Sequence, residues 1–579
     1  MQKVKTKNKT TIGMKRIHYI FLVGIILAAL FFRFYKITEM PGGLFPDEAA
    51  NGLDITLMQQ GHLQPFYERG NGREALFFYW LWASISIFGK GPWQHHIVSA
   101  LTGVLAVLGC FLLTYKLFSL FSAEDKRKRA IWIALLAAFL MAVSSWHTVV
   151  SRTAFRANLL PLFSSYTLYF LLIAWSAKTR LKQFFFAWVS GAVFALGFYS
   201  YIASRMMVPI LGLLILWPLG VSMLERKRFQ IIQKYWKSLL FFIEGFIICI
   251  FPLAVYFWTH PGSFVGRSGQ VSIFNPELNG GHLIGTFLEV LKESLLGYIT
   301  AGDLNWRHNI SGFPFLSPII SPFFVIGLTL ITILAARYAF RPRSHRSDWK
   351  FFLVAGLFWG MLVPVVTTAE GIPHGLRSIG TIPAVFIITS WCLYTLYAET
   401  KERITAWCKP KSFKLRLLKL SSWVLVICFS AALIIQTYSL YFIYAYNSPE
   451  NFYSFRSDLT TVSQWLNQFA SRQHTYLVLD KFSLQTPEYL TTIDAAHPDN
   501  PRNTPYAQVD PEDSWQSAQA QRDGKPIWQH GLSTGDQIVF TQSSIFDIKK
   551  FKAYHPEAKL TYSKQNKFGQ WVLAVYTIQ

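Results

Sequence analysis

Two adjacent carboxylates, Asp47 and Glu48, follow shortly after the first long apolar stretch of the chain. A carboxylate is the usual general base for a hydroxyl group, provided that the two lie within hydrogen-bond reach. Acidic residues also suit the first turn of a helix, and Pro46 and Gly61 fit the beginning and end of a helix at about 46–60. The pair is therefore either catalytic or a helix cap.

Arginine residues elsewhere in the chain suit a phosphate group, because a guanidinium offers forked donors that stay charged. Arg73 follows a Gly-Asn-Gly break in the same loop as the two carboxylates. Arg152 and Arg156 are four residues apart, so on one helix they would share a face and could grip one phosphate. The alternative is that these two side chains extend to lipid headgroups, as interfacial arginines often do.

A short segment between two apolar runs combines an acid, an imidazole and a guanidinium: Glu370, His374 and Arg377. It is either a structured turn or a second place where a phosphate is contacted, through His374 and Arg377. Some further residues could line the same cavity, although packing is the simpler explanation for the aromatic ones: Glu74, Tyr199, Tyr201, Arg205 and Glu370.

A metal site is not evident from the sequence. A divalent cation could bind through Asp47 and Glu48, but no Asp-x-Asp motif or histidine cluster supports it in the loops outside the apolar runs. The metal is therefore unknown, and no cofactor is predicted with certainty. None of the five cysteines lies after position 428, so the C-terminal region has no disulfide framework.

The composition indicates an integral membrane protein. Of 579 residues, 52% are hydrophobic and 17% aromatic, which is too apolar for a soluble chain of this size. Apolar runs of about 17–25 residues, enough to cross a bilayer, recur and then stop near 442. They predict about eleven spans: 17–35, 96–121, 131–147, 158–176, 184–201, 206–222, 239–258, 317–336, 351–367, 378–397 and 421–442.

The net charge of +24 reports membrane topology and argues against a nucleic-acid partner. After Tyr441 the chain is nearly neutral, and the basic residues gather in alternate loops near 3–16, 126–129, 178–182, 226–237, 337–350 and 401–419. The positive-inside rule places these loops and the N-terminus in the cytoplasm of a multi-pass protein of the plasma or inner membrane. The first extracytoplasmic loop is then 36–95, with 75–88 lying along the interface because it is too short to span.

The remaining residues predict a soluble domain. Apolar spacing over 459–470 indicates a helix, and 475–479, 537–540 and 571–578 are typical of strands. The fold class is thus a polytopic α-helical membrane protein with a small extracytoplasmic α/β domain. We divide it into a transmembrane domain, 1–442, and a C-terminal extracytoplasmic domain, 443–579.

The first loop carries a family resemblance. The Asp47-Glu48 pair after the first span, the segment GNGREALFFYW at 70–80 and Phe88-Gly89 before the next span resemble the signature region of the GT-C glycosyltransferases. The closer resemblance is to the family 39 protein O-mannosyltransferase and aminoarabinose transferase group. It implies a GT-C fold, a polyprenyl-phosphate-linked sugar donor and a catalytic aspartate at Asp47. Many relatives carry a basic-Pro-Pro or Glu-Lys-Pro sequence where this chain has GREAL at 72–76, which leaves the acceptor class open.

The resemblance implies an inverting membrane glycosyltransferase whose acceptor is an extracytoplasmic protein, lipid or cell-wall glycan. Asp47 would be the base, Glu48 would assist or orient it, and five cations would offset the charge of the donor phosphate: Arg73, Arg152, Arg156, His374 and Arg377. The partners are then the polyprenyl-phosphate sugar donor, membrane lipids and the acceptor. The alternatives are a transporter or flippase, which would usually show repeats and polar mid-membrane positions, and a non-catalytic membrane anchor.

Overall fold

The computed structural model of the protein describes residues 14–120, 124–224, 230–265, 271–342, 344–407, 413–470, 474–491, 504–511 and 532–579. The helices, in chain order, are α1 (Arg16–Phe34), α2 (Pro46–Gln59), α3 (Leu76–Phe88), α4 (Pro92–Ser119), α5 (Glu124–Ala142), α6 (Ser145–Arg152), α7 (Leu159–Ser176), α8 (Arg180–Phe198), α9 (Met207–Leu224), α10 (Gln230–Thr259), α11 (Pro261–Val265), α12 (Pro276–Asn279), α13 (Leu283–Leu296), α14 (Ser321–Phe340), α15 (Trp349–Val366), α16 (Ile382–Ala406), α17 (Phe413–Tyr438), α18 (Pro449–Ser454), α19 (Ser457–Phe469), α20 (Lys481–Thr491) and α21 (Ile548–Tyr554). The strands are β1 (Phe66–Tyr67), β2 (Arg73–Glu74), β3 (Thr475–Val478), β4 (Ala507–Val509), β5 (Gln537–Thr541), β6 (Lys559–Gln565) and β7 (Trp571–Thr577).

The helices confirm a multi-pass membrane protein. Within the described ranges, nine helices are long and apolar enough to cross a membrane, or ten if the bent pair Arg127–Ala142 and Ser145–Arg152 is one span. The remaining predicted span, 206–222, corresponds to α9, where the apolar helix Ile202–Trp217 is shorter than a full span. The basic residues before position 14, on which the cytoplasmic N-terminus was predicted, lie outside the described residues.

The chain divides into two compact units that do not follow the predicted boundary alone. The first unit is Met1–Tyr35, Ser99–Ser151 and Arg156–Phe442, and the second is Lys36–Val98, Arg152–Phe155 and Ile443–Gln579. The second unit therefore joins the predicted first loop and one short turn to the C-terminal region. The functional division at 442 stays a prediction.

In the first unit, a break between α5 and α6 is held by a buried arginine. The two helices meet at a bend of 59°. Arg33 of α1 is fully buried, and its guanidinium donates to the carbonyl oxygens of Ala142 at 2.9 Å and Met141 at 3.3 Å. The same group lies 2.6 Å from Nδ1 of His147. It thereby satisfies carbonyls that the end of α5 leaves without helical partners.

The helices α8 and α10 of the first unit approach closely at two glycines. A Cβ atom on Gly191 would lie 1.9 Å from the carbonyl oxygen of Phe242, and one on Gly245 would lie 2.3 Å from that of Trp188. Small residues at such crossings let helix backbones pack closely, which is a principal source of helix association in a membrane.

In the second unit, the C-terminal residues form a five-stranded sheet in the order β4-β3-β5-β7-β6. Strand β3 is parallel to β4 and β5, whereas β7 is antiparallel to β5 and β6. The predicted helix and three strands are confirmed as α19, β3, β5 and β7. Sequence analysis missed β6, because its side chains are exposed throughout and give no apolar pattern, and β4, which has only three residues.

The sheet is covered on both faces. Residues of β3, β5 and β7 alternate between two apolar clusters, as period-two strands require. One cluster joins Leu477 and Val539 to Leu459 of α19, and the other joins Val478 and Phe540 to Phe551 of α21. Coverage of both faces by helices explains why the strands appear in the sequence as continuous apolar runs.

We predict that Arg33→Met destabilises the first unit. The change leaves the carbonyl of Ala142 without its buried donor, whereas that of Met141 still lies 3.3 Å from Nδ1 of His147, so the free energy of unfolding should fall by about 2 kcal/mol. Chemical unfolding of the purified protein in detergent measures the change. The control is Arg129→Met, which removes an exposed ion pair with Glu402 worth at most about 1 kcal/mol. Equal losses in the two variants would contradict this interpretation.

Candidate active site

The N-terminal turn of α2 carries the paired carboxylates in two different environments. Pro46 occupies the first turn, where its missing N–H costs nothing, and both acids lie at the positive end of the helix. The Asp47 side chain is 52% exposed, whereas that of Glu48 is 2% exposed. Only Asp47 is therefore accessible to a substrate.

Arg73 is fastened to the first two turns of α2. Its Nη1 donates to the backbone oxygen of Asp47 at 3.1 Å and to Oδ1 of Asn51 at 2.7 Å. Its Nη2 lies 3.7 Å from Oδ1 of Asp47. Gly70 has a positive φ, and a Cβ there would lie 2.3 Å from Arg73 Nη2. The Gly-Asn-Gly break is thus needed for the guanidinium to reach the helix.

Glu48 is a buried anchor for this turn. Its Oε2 accepts the N–H of Phe45 at 3.0 Å, and its Oε1 accepts the N–H of Ala154 at 2.7 Å. Nε2 of His96 in α4 lies 3.4 Å from the same Oε1. Burial opposes the charged form, but His96 and the two backbone hydrogen bonds hold the pKa of Glu48 below its ordinary value. The carboxylate thus holds the backbone at Phe45 and Ala154, and its predicted role in assisting or orienting Asp47 stays a prediction.

The two arginines near 152–156 do not share a helix face, so that prediction is wrong. Helix α6 ends at Arg152, and Arg156 begins a separate 3₁₀ turn, Arg156–Asn158. Arg152 is fully buried in the second unit, where its Nη2 donates to the carbonyl oxygen of Met40 at 2.7 Å. It therefore holds the residues that lead to α2. Arg156 belongs to the first unit, and the phosphate-binding role predicted for the two arginines stays a prediction.

A second buried acid on α2 was missed. Asp54 is 1% exposed and accepts a hydrogen bond from Nε of Arg69 at 2.8 Å. Burial raises its pKa, against the opposing effect of Arg69. Asp47, Asn51 and Asp54 follow an i, i+4, i+7 spacing, which places all three on one helix face. That spacing was visible in the sequence and could have found Asp54.

The predicted turn near 370 lies in the first unit and centres on an aspartate. Oδ2 of Asp303 accepts from Nδ1 of His308 at 2.8 Å and from the N–H of Gly375 at 2.8 Å. The rings of His308 and His374 stack with centroids 4.7 Å apart. Arg377 donates to the backbone oxygen of Glu370 at 2.5 Å and to its Oε2 at 3.2 Å. The turn is thus structured, and it places the guanidinium of Arg377 near two imidazole rings.

The described residues that could hold a divalent cation are Asp303, His308 and His374, whose ligand atoms lie within 4.8 Å of one another. In the present arrangement these atoms are engaged in hydrogen bonds. Nδ1 of His308 contacts Asp303, and Nδ1 of His374 accepts the N–H of Arg377 at 3.3 Å. A cation would have to replace the proton that His308 and Asp303 share. Burial lowers the pKa of both histidines, which keeps them neutral.

The predicted cavity residues are spread over both units. Glu74 is buried in β2 of the second unit. In the first unit, the hydroxyl of Tyr199 donates to the carbonyl of Cys249 at 2.8 Å, so this side chain ties α8 to α10. Tyr201 is half-buried at the start of the turn Ile202–Met206. Arg205 lies 4.1 Å from the ring centroid of Phe264 and lines an apolar cavity of about 450 Å³.

A family model matches part of the chain, beginning in the later part of the first loop. Residues 74–244 match the family model of dolichyl-phosphate-mannose-protein mannosyltransferases. No curated protein sequence matches the chain. The matched range begins at Glu74 and does not include Asp47 or Glu48, whose roles stay predictions.

Solved structures show the fold. The chain resembles ArnT from Cupriavidus metallidurans, crystallised with undecaprenyl phosphate, with 12% identity and a TM-score of 0.50 over 97% of this chain and 98% of that chain. It also resembles the oligosaccharyltransferase AglB from Archaeoglobus fulgidus, in complex with an inhibitory peptide and a dolichol-phosphate, with 13% identity and a TM-score of 0.49 over 97% and 74%. The chain therefore shares the overall fold of ArnT.

We predict that Glu48→Gln lowers stability and changes its dependence on pH. The pKa of Glu48 lies below the ordinary 4.5, so its contribution is present above that pH and is lost as the pH falls through the lowered value. The variant should lose about 1.5–3 kcal/mol at neutral pH and show a weaker decline towards acid.

The measurement is the thermal unfolding midpoint of purified protein between about pH 3 and 6. Glu39→Gln is the control, because Glu39 lies in the same loop with a half-exposed side chain paired to Lys36. A parallel acid decline in wild type and Glu48→Gln would refute the anchoring role.

Proposed function

We propose that this protein is a membrane glycosyltransferase that moves a sugar from a polyprenyl-phosphate-linked donor to an extracytoplasmic acceptor, with inversion at the anomeric carbon. The observation that carries the proposal is the contrast within the α2 turn. Asp47 is exposed and fixed beside Arg73, whereas its neighbour Glu48 is buried and fully engaged. The GT-C fold and the family match over 74–244 support the reaction class.

The reaction is a single displacement. The acceptor hydroxyl or amine attacks the anomeric carbon as its proton passes to the Asp47 carboxylate, and the bond from that carbon to the phosphate oxygen breaks. The polyprenyl phosphate leaves with both bonding electrons. One displacement inverts the anomeric centre. The carboxylate has to lie within hydrogen-bond reach of the acceptor, which the half-exposed position of Asp47 allows.

Arg73 has two tasks in this proposal. Its bonds to the backbone of Asp47 and to Asn51 fix the orientation of the first turn of α2. Its Nη2 lies 3.7 Å from Oδ1 of the Asp47 carboxylate, so the ion pair holds that side chain beside the first turn of α2. Donor-phosphate binding by Arg156, Arg377 and His374 is part of the same proposal. The two guanidiniums would stabilise the charge that develops on the leaving phosphate, and the neutral His374 would donate a hydrogen bond from Nε2.

The membrane, orientation and acceptor belong to the proposal as well. The basic loops favour the plasma or inner membrane, with the second unit outside the cytoplasm. The acceptor is a protein, a lipid or a cell-wall glycan. The transferase needs no nucleic-acid partner, and a divalent cation, where required, would be held by Asp303, His308 and His374.

We predict that Asp47→Asn lowers kcat at least about a hundredfold, because general bases contribute at least that factor. The assay supplies a panel of synthetic undecaprenyl-phosphate-linked sugars to protein in nanodiscs, with isolated cell envelopes as the acceptor source. Binding of the lipid donor should be unchanged. Glu39→Gln is the matched carboxylate control and should keep wild-type activity. Full transfer by Asp47→Asn would exclude Asp47 as the general base.

We predict that Arg377→Gln loses co-purified polyprenyl phosphate, measured by mass spectrometry of lipids extracted from the purified protein. The control is Glu370→Gln, which removes the carboxylate that Arg377 contacts at 3.2 Å and leaves the cation in place. This control should bind the lipid at least as well as wild type, because the guanidinium has lost a competing anion. Equal lipid content in wild type and Arg377→Gln would exclude Arg377 from phosphate binding.

A further inference from the structure

The C-terminal helices of the second unit grip the residues that lead into α2. The hydroxyl of Thr486 in α20 donates to the carbonyl oxygen of Leu44 at 2.9 Å, and that of Ser457 in α19 donates to Pro41 at 3.3 Å. A Cβ atom on Gly43 would lie 2.2 Å from the carbonyl oxygen of Phe455. Backbone therefore packs directly on backbone, and the path of residues 41–45 is fixed by the C-terminal region.

Tyr489 of α20 fits into a notch on α2. A Cβ atom on Gly52 would lie 2.4 Å from two carbon atoms of the Tyr489 ring, so only glycine leaves room for it. The ring is 1% exposed and meets the ring of His95 edge-on, with centroids 5.3 Å apart. It is thus enclosed between α2 and the beginning of α4. Gly52 is five residues from Asp47 on the same helix, a rise of about 7.5 Å.

The helices that make this contact are tied to each other. Arg456 forms an ion pair with Asp458 of α19 through two bonds of 3.1 Å, and its Nη1 donates to Ser483 Oγ of α20 at 2.7 Å. Asp458 is fully buried, so this network is protected from water. The helix that carries Tyr489 is therefore fixed by hydrogen bonds within the C-terminal region.

We propose that the C-terminal domain is a positioning element for the transfer reaction, and that Tyr489 seated on Gly52 sets the placement of the Asp47 carboxylate. This inference rests on the proposed function. The physical reason is that a base displaced by about 1 Å can lose about a hundredfold in rate. Tyr489 acts through α2 and does not itself touch the reacting atoms.

The chain offers a conservative control at the same residue. The hydroxyl oxygen of Tyr489 is buried and has no hydrogen-bond partner among the described residues. Tyr489→Phe keeps the ring and removes only that oxygen, so it should retain wild-type kcat and stability. Tyr489→Ala removes the ring and leaves α2 without its support. Phe551→Ala also removes a buried ring, in the apolar cluster of the sheet that contains Val478 and Phe540, and serves as the destabilised control.

The test measures kcat and KM for the undecaprenyl-phosphate-linked sugar that wild type uses, together with hydrogen exchange of residues 41–59. Tyr489→Ala and Gly52→Ala should each lower kcat about ten- to hundredfold with KM within about threefold, and exchange of this segment should rise. The double variant should be no worse than Tyr489→Ala, because the ring that a new methyl group would strike is absent. Phe551→Ala should lose thermal stability and keep kcat.

Two outcomes overturn the inference. One is wild-type kcat and wild-type exchange in Tyr489→Ala. The other is an equal loss of kcat in Phe551→Ala, which would show that any damage to the C-terminal domain has the same effect. If wild type transfers no sugar from any probe, the proposed function fails instead. The exchange of residues 41–59 then still decides whether Tyr489 supports α2.

Discussion

The buried carboxylate of Glu48 is the interaction on which the rest of the site depends. It accepts hydrogen bonds from the backbone at Phe45 and at Ala154. One side chain therefore joins the start of α2 to a turn that lies more than a hundred residues away in sequence. A buried charge is stable only when it is paired and hydrogen-bonded. This requirement fixes the first turn of α2, and with it the direction in which the exposed Asp47 carboxylate points.

The sequence predicted the helix that carries the paired carboxylates but not the different environments of the two side chains. Pro46 and the acidic residues after it predicted α2, because local preferences decide where a helix starts. The sequence could not separate the exposed Asp47 from the buried Glu48, since the partners of Glu48 come from positions 96 and 154. Adjacent residues on a helix point in different directions, and only tertiary packing decides which of them faces solvent.

For Arg152 and Arg156, the sequence spacing suggested an arrangement that the structure does not have. Arg152 and Arg156 were placed on one helix face by their spacing, but α6 has only eight residues and ends at Arg152. A bend of 59° before α6 and a turn after it leave no continuous helix on which that spacing could apply.

In the C-terminal domain, the sequence predicted the apolar strands but not the exposed strand β6. Hydrophobic patterning reports burial, so an edge strand without buried side chains gives no signal.

The second unit is assembled from three separate stretches of chain, Lys36–Val98, Arg152–Phe155 and Ile443–Gln579. During synthesis the helix that bears Asp47 is made early. The hydroxyl of Thr486 donates to the carbonyl of Leu44, just before that helix, and Thr486 follows Leu44 by 442 positions. Until that later segment is made, residues 40–45 lack the hydrogen bonds from Ser457 and Thr486, although those to Glu48 and Arg152 can form. The arrangement at the start of α2 therefore includes contacts of long sequence separation, which can form only after the helices that carry Ser457 and Thr486 have been made.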